Sequence, residues 1–147
     1  MATDQVSQRQ MEKYLARVSG PLIDRIDIHV EVPRVPYKQL TAQANGTDSA
    51  HMRQTVMQAR DVQAGRNGGP LRTNSTLKGR ELDKLAILDE AGSELLRAAM
   101  NELGLSARAY DKVRRVARTI ADLEGCRDIA PHHVAEAVQY RLLDRKL

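Results

Sequence analysis

The chain lacks the large aromatic residues that fill many protein cores. Its 147 residues contain no Phe and no Trp, and Tyr, which occurs four times, is the one residue of that class present. A core must therefore be built from Leu, Ile, Val, Ala and Met, the residues that helix bundles use. With 41% hydrophobic and 29% charged residues, the composition is that of a globular domain of ordinary size. The composition favours a mainly helical fold.

Cysteine and long apolar runs are scarce as well. Cys126 is the single cysteine, which excludes an intramolecular disulfide and a thiolate metal cluster. No run of about 18 or more apolar residues is available to cross a bilayer, and the first ten residues lack the apolar stretch of a secretory signal. The net charge of +4 is too small to establish a nucleic-acid partner. We expect a cytoplasmic chain with no membrane partner.

The stretch from Ile26 to Val32 has the pattern of one β-strand. Apolar and polar residues alternate along it, and Pro33 ends it. The apolar positions are Ile26, Ile28, Val30 and Val32. A lone strand cannot satisfy its own backbone groups, and no second strand pattern is present in the sequence. Either the strand pairs with another molecule or the chain is a fragment whose remaining sheet has been cut away; we favour the fragment.

Helical periodicity dominates the rest of the sequence. We predict a helix end within residues 1–18, then a linker at 34–48 and a helical module at 49–147. Ser49 is the predicted cap of a first module helix that ends in the glycine-rich residues 64–70. The predicted inward face of that helix is Met52, Val56, Ala59 and Val62.

Three or four further helices complete the predicted module. A short helical piece carries Leu82 and Leu85, and a helix opened by Asp89 ends at Gly104. The longest apolar stripe follows, from Ser106 to Glu124, and a last helix begins at Pro131. The sequence thus predicts a bundle of four to five helices.

Two arginines occupy positions that suit phosphate chemistry. Arg108 lies in the first turn of the helix that Ser106 caps, where the helix dipole is already positive and a cation typically costs about 0.3 to 1 kcal/mol. Such a helix start is typical of an anion site, although an arginine pointing into water is the alternative. Arg25 precedes the strand, and its alternative is a surface ion pair with Asp24 or Asp27.

Other polar clusters give weaker signals. Arg114, Arg115 and Arg118 lie on and beside the polar face of the long helix, and Arg97 joins them as a candidate nucleic-acid contact. No aromatic stacking platform accompanies them, so a solvated face is the competing interpretation. His132 and His133 are adjacent, point about 100° apart on a helix and have no third ligand at a suitable spacing. We therefore predict no metal site.

Three segments carry a resemblance to a known family. They are residues 14–33, 105–110 and 116–124. In these segments the chain resembles the C-terminal part of the magnesium-chelatase-like AAA+ ATPases, and within them the ComM/YifB group. The resemblance implies that residues 1–33 are the end of an α/β ATPase core, with its last strand, and that residues 49–147 are a helical lid domain. No role is assigned to residues 1–9.

The resemblance also implies roles for the two arginines. Arg25 matches the arginine finger, which acts in trans on the nucleotide of the next subunit, and Arg108 matches the sensor 2 arginine of the lid. The implied cofactors of the full-length oligomer are ATP and Mg²⁺. The implied partners are the neighbouring subunits of a homo-oligomeric ring, expected to be a hexamer. The intact protein is expected to act on DNA, as a helicase or remodelling factor.

The chain itself lacks the motifs that bind ATP. Residues 65–70 are glycine-rich but contain no Lys-Ser/Thr pair and follow a helix, and no acidic pair follows an apolar strand, so the Walker A and Walker B motifs are absent. We predict that the chain alone is not an enzyme and that the full-length protein is an ATPase. Two alternatives stay open, a nucleic-acid-binding helical module and a structural helical bundle with no nucleotide role.

Overall fold

The computed structural model describes residues 13, 20–23, 25–30, 32–37, 41 and 46–141. The helices are α1 (Gly20–Ile23), α2 (Ser49–Asn67), α3 (Gly79–Leu85), α4 (Glu90–Leu103), α5 (Ala107–Leu123) and α6 (Pro131–Gln139), with a 3₁₀ turn at Asn74–Thr76. The predicted mainly helical bundle is confirmed. The helix expected within residues 1–18 lies almost entirely outside the described residues. Within the described ranges, no helix combines the length and the apolarity that a membrane crossing needs.

Side-chain caps set the starts of three helices. The Asp89 carboxylate accepts a hydrogen bond from the Gly92 N–H at 2.7 Å and starts α4. The Ser106 hydroxyl accepts one from the Ala109 N–H at 3.2 Å and starts α5. Both predicted starts are confirmed. The cap of α2 is Asp48 and not Ser49, because Asp48 is the extended residue whose carboxylate faces the helix while Ser49 is already helical.

Helix α5 is the centre of the bundle. It packs against α2, α3, α6 and the 3₁₀ turn, and α6 also packs against α4. The core is aliphatic and consists of Leu77, Leu82, Ala86, Leu96, Val113, Ala117, Ile120, Ala121, Ile129, Val134 and Ala137. Within the described residues, one isolated parallel bridge, between Leu88 and Ile129, joins the loops that lead into α4 and α6. The bundle is therefore organised around one amphipathic helix.

The prediction of which α2 residues face inward is largely wrong. Three of its four members are about half exposed, namely Met52, Val56 and Val62. The buried positions are Ala59, Gln63 and Asn67. The Gln63 amide oxygen accepts from the backbone N–H of Asn74 at 3.1 Å. The Asn67 amide donates to the carbonyl of Arg72 at 2.9 Å. Helix α2 thus packs through polar contacts, which hydrophobic periodicity does not register.

The described residues of the strand-like segment contact the end of the bundle. Among the described residues it joins no β-ladder, and Val30 and Val32 are 64% and 81% exposed. The His29 N–H donates to the carbonyl of Tyr140 at 2.9 Å, and the Arg141 guanidinium donates to the carbonyl of Ile26. The segment and α5 both line an apolar cavity of about 400 Å³. Hydrogen bonds at the end of α6 thus hold this segment, and within the described residues it pairs with no other strand.

Candidate functional site

Arg108 lies at the amino-terminal end of α5. It is the second residue of the helix, its side chain is exposed, and Ser106 caps the turn in which it sits. The first turn of a helix carries unpaired N–H groups and the positive end of the helix dipole. A guanidinium at this position adds to a field that attracts anions. The predicted location of Arg108 is therefore confirmed; its role is a separate question.

Arg25 lies in the turn that follows α1. Its backbone N–H donates to the carbonyl of Leu22 at 3.0 Å, and its side chain is exposed. Two residues later, the Asp27 carboxylate forms an ion pair with the Lys112 ammonium at 2.8 Å. Lys112 lies one helical turn beyond Arg108 on α5, so the two side chains share a face. The ion pair links Asp27, two residues after Arg25, to the helix that carries Arg108.

Arg114 is buried, which corrects its predicted place on a polar surface. Only 7% of the residue is exposed, and its guanidinium donates to the carbonyls of Leu82 and Ala86. It also pairs with Asp83 at 2.9 Å and lies 5.3 Å from the ring centre of Tyr110. Arg114 thus adds donors at the end of α3, where the Leu82 carbonyl also accepts the N–H of Ala86.

Arg118 is buried as well, with 3% exposure. Its guanidinium donates at 2.7 Å to the carbonyls of both Cys126 and Arg127, and pairs with Asp122 at 3.1 Å. Burial lowers the pKa of Arg118, and the Asp122 charge only partly offsets that effect. Its hydrogen bonds hold the loop between α5 and α6. The prediction that this side chain lies on the surface is therefore wrong.

The other two candidate arginines differ from each other. Arg115 is partly buried and donates to the carbonyl of Leu77 at 3.1 Å. Arg97 is exposed and pairs with Glu94 at 2.6 Å, and the hydrogen bond from that carboxylate raises the pKa of Arg97. The four arginines that the sequence grouped therefore do not form one basic face.

A buried polar network around Asp122 was missed by the sequence analysis. Arg66 donates to both Asp122 oxygens, at 2.6 and 2.8 Å, and the Asn74 amide donates to the same carboxylate at 2.8 Å. Burial acts to raise the pKa of Asp122, but the hydrogen bonds from Arg66 and Asn74 outweigh it and the pKa is lowered. The available signal was the pair Arg118 and Asp122, four residues apart beside an apolar stripe.

Glu124, His132 and His133 offer three ligand atoms within 4.8 Å of one another. Glu124 is thus the nearby third group that the sequence analysis did not find. The His133 Nδ1 accepts the backbone N–H of Ala130 at 2.8 Å, so its proton lies on Nε2 and is donated to Glu124 at 2.9 Å. A metal would need the lone pair of that Nε2 atom. The cluster caps the start of α6 and does not fit a metal while this cap is formed.

Family models and relatives agree with the resemblance. The model for the C-terminal region of magnesium chelatase subunit ChlI matches residues 46–141, and the model for magnesium chelatase subunit ChlI matches residues 2–40. Competence protein ComM of Haemophilus influenzae is 39% identical over 145 residues, which are 98% of this chain and 28% of ComM. Protein YifB of Salmonella typhimurium is 39% identical over 139 residues, or 94% of this chain and 27% of YifB.

A third relative is similar at lower identity. A Mycobacterium tuberculosis protein is 35% identical over 130 residues, which are 88% of this chain and 26% of that protein. The chain thus spans little more than a quarter of the length of these relatives. The C-terminal family model covers residues 46–141, which are more than half of the chain. The chain therefore belongs to the magnesium chelatase subunit ChlI family and is a homologue of ComM and YifB.

Proposed function

We propose that this chain is the C-terminal part of an AAA+ ATPase that works as a homo-oligomeric ring, a hexamer, with ATP and Mg²⁺ as its cofactors. Arg25 serves as the arginine finger for the nucleotide of the neighbouring subunit, and Arg108 serves as the sensor 2 residue. Membership of the ChlI family supports this proposal, and the chain covers 28% of ComM. The activity of the whole protein is part of the proposal.

The observation that carries the proposal is the exposed Arg108 in the first turn of α5. In phosphoryl transfer, negative charge spreads over the equatorial oxygens of the transferred group, and fixed cations stabilise it. A guanidinium is planar, permanently charged and able to bind two oxygens together. At the positive end of a helix, its attraction for phosphate adds to that of the helix dipole.

The ion pair between Asp27 and Lys112 supports a joint role for Arg25 and Arg108. The Lys112 side chain is 12% exposed and the Asp27 side chain 63% exposed, so the pair lies at the surface end of a largely covered lysine. Because Asp27 lies two residues after Arg25, this contact restricts where the Arg25 turn can go. We infer that the turn and the start of α5 act at one interface between subunits.

The glycine-rich residues 65–70 support the absence of a nucleotide pocket in this part of the protein. Gly68 ends α2 in the left-handed conformation, with φ of 86°, and its N–H donates to the carbonyl of Ala64. A phosphate-binding loop precedes a helix and uses the positive helix end. Gly65 is still within α2, and Gly68 and Gly69 follow its negative end, which repels phosphate. The chain alone is therefore expected to bind no ATP.

The intact protein is proposed to act on DNA, as a helicase or remodelling factor. The support is the homology to ComM, whose name is competence protein, and to YifB. Burial of Arg114 and Arg118 weakens the alternative that this helical module binds nucleic acid through the four arginines first considered.

The test uses the full-length protein with three single variants. Arg25→Ala is expected to keep nucleotide binding and to lower ATP turnover by about 10³-fold or more, the range seen for lost arginine fingers. Arg108→Ala is expected to weaken nucleotide binding, turnover or both. Arg97→Ala is the control, because this exposed arginine lies on α4 and should leave both quantities unchanged.

Mixed rings separate action in trans from action in cis. An Arg25→Ala subunit keeps its own nucleotide site, so mixing it with a subunit whose nucleotide site is inactivated should restore part of the turnover. Normal turnover in both the Arg25 and Arg108 variants would reject the proposal. Failure of the mixture to recover any activity would reject the role of Arg25 in trans.

A further inference from the structure

A concavity of about 190 Å³ lies between the end of α3 and the loop that joins α5 to α6. It is called the basic concavity below, and its lining residues are Arg66, Lys84, Leu85, Ile87, Arg118, Arg127 and Asp128. Lys84, Arg127 and Asp128 are exposed and form its rim, whereas Arg118 is buried at its floor. Four cations thus face one rim carboxylate.

The floor of the basic concavity carries more positive than negative charge. Arg66 and Arg118 donate to the same oxygen, Oδ1 of Asp122, at 2.6 and 3.1 Å. Asp122 can neutralise one of the two guanidinium groups, and its side chain has no solvent exposure. The positive charge of Arg66 also helps to lower the pKa of Arg118, after the larger effect of burial. Asp122 balances one of the two floor charges, and the rim carboxylate of Asp128 also acts on Arg118, where it raises the pKa.

The two floor guanidinium groups are held in place by other hydrogen bonds. Arg66 donates to the side-chain oxygens of Asn67 at 3.2 Å and Asn74 at 2.7 Å. Arg118 donates to the carbonyls of the loop that carries Arg127. A bound anion would therefore meet cations that are already ordered, which reduces the entropy that binding costs. Anion binding would then only have to order the side chains of the rim residues.

We propose that the basic concavity binds a phosphate group, with Lys84 and Arg127 as the direct contacts and Arg66 and Arg118 as the fixed positive floor. Asp128 opposes an anion, but with Asp122 it supplies two negative charges against four positive ones. Two sources share this chemistry, the backbone of a nucleic acid and free phosphate. This proposal does not depend on the roles of Arg25 and Arg108.

The test compares two double variants of the 147-residue chain. Lys84→Ala with Arg127→Ala removes the rim contacts, and Arg53→Ala with Lys78→Ala removes the same charge from exposed positions outside the concavity. Inorganic phosphate at constant ionic strength and a short DNA duplex are each titrated into isotope-labelled protein, and backbone amide shifts are followed. Thermal unfolding of both variants verifies that the fold is intact.

The proposal is supported if the rim variant binds its ligand more weakly than the control variant does. We expect its phosphate affinity to fall about tenfold or more, a change of about 1.4 kcal/mol, while the control stays within about twofold of the parent. For a nucleic-acid source, the slope of log affinity for DNA against log salt also falls by about two in the rim variant. Loss of phosphate binding with unchanged DNA binding assigns the site to free phosphate. If neither ligand is weakened more by the rim variant than by the control, the proposal is wrong.

Discussion

Arg66 and Asp122 form a two-pronged ion pair across 56 positions of the sequence. Nη1 lies 2.6 Å from Oδ1 and Nη2 lies 2.8 Å from Oδ2. Arg66 belongs to the last turn of α2 and Asp122 to the last turn of α5, so the pair joins the ends of the two helices. Since the buried face of α2 is mostly polar, this pair and its amide neighbours determine how α2 docks.

Removing the Asp122 carboxylate is expected to destabilise the fold strongly. Asp122→Ala leaves Arg66 and Arg118 close together without their shared counter-charge, and breaking a buried pair in this way typically costs about 3 to 5 kcal/mol. Urea unfolding monitored by circular dichroism measures the change. Glu94→Ala is the matched control, because it breaks the exposed pair with Arg97 and should leave the urea midpoint close to that of the parent. Equal effects of the two substitutions would contradict this account of Asp122.

Two helical glycines are expected to respond oppositely to alanine. A Cβ at Gly92 would lie 3.0 Å from the Asp89 Oδ1 that caps α4 and 3.5 Å from Val134, whereas a Cβ at Gly65 meets nothing within 4 Å. Gly65→Ala should stabilise the chain by about 0.5 to 1 kcal/mol, the usual cost of glycine inside a helix. Gly92→Ala should destabilise it by about 1 kcal/mol, the typical loss of a cap. Thermal unfolding of both variants measures the difference, and stabilisation by both would show that the α4 cap tolerates the methyl group.

Glu124 is expected to contribute to the acid sensitivity of the fold. Hydrogen bonds lower the pKa of Glu124 below its ordinary value of 4.5, and the bond with His132 has a larger effect than the bond with His133. A carboxyl whose pKa is depressed by folding stabilises the native state above its unfolded pKa, and that contribution is lost as the pH falls through the folded value. Glu124→Gln should therefore flatten the fall in unfolding free energy that begins near pH 4.5.

The control for this measurement is Glu102→Gln, at an exposed glutamate near the end of α4. Its pH dependence should follow that of the parent chain. Urea unfolding at a series of pH values gives the free energies that are compared. A Glu124→Gln profile that superimposes on the parent profile throughout the acid range would show that the histidine contacts contribute nothing to stability.

Local signals predicted much of this fold. The bounds of α4 and α5 follow from their caps and from Gly104, which adopts φ of 63° after α4. Each of these signals needs only neighbouring residues, such as the hydrogen bond from the Gly92 N–H to Asp89. The apolar stripe predicted between Ser106 and Glu124 contains the core residues Val113, Ala117 and Ile120, although Tyr110 and Leu123 within it are exposed. Local hydrogen bonds and periodicity are readable in the sequence because they involve residues a few positions apart.

The polar interior could not be predicted in the same way. Arg114 and Arg118 are spaced like surface residues, yet each is buried because carbonyls from another part of the chain accept its hydrogen bonds. The partners of Arg114 are about 30 residues away, at the end of α3. The partner of Asp122, Arg66, is 56 positions away on α2. Hydrophobic periodicity measures where apolar area lies, and it carries no information on which distant acceptor satisfies a buried guanidinium.

Helix α5 carries Arg108 in its first turn and Asp122 in its last, and at 1.5 Å per residue the two are about 21 Å apart along the axis. An α-helix of this length behaves as a stiff rod, because every turn is hydrogen-bonded to the next. Because α5 also packs against α2, α3 and α6, this rod is embedded in the bundle. The contacts of Asp122 and the first turn that carries Arg108 therefore belong to one rigid element, although they lie about four turns apart.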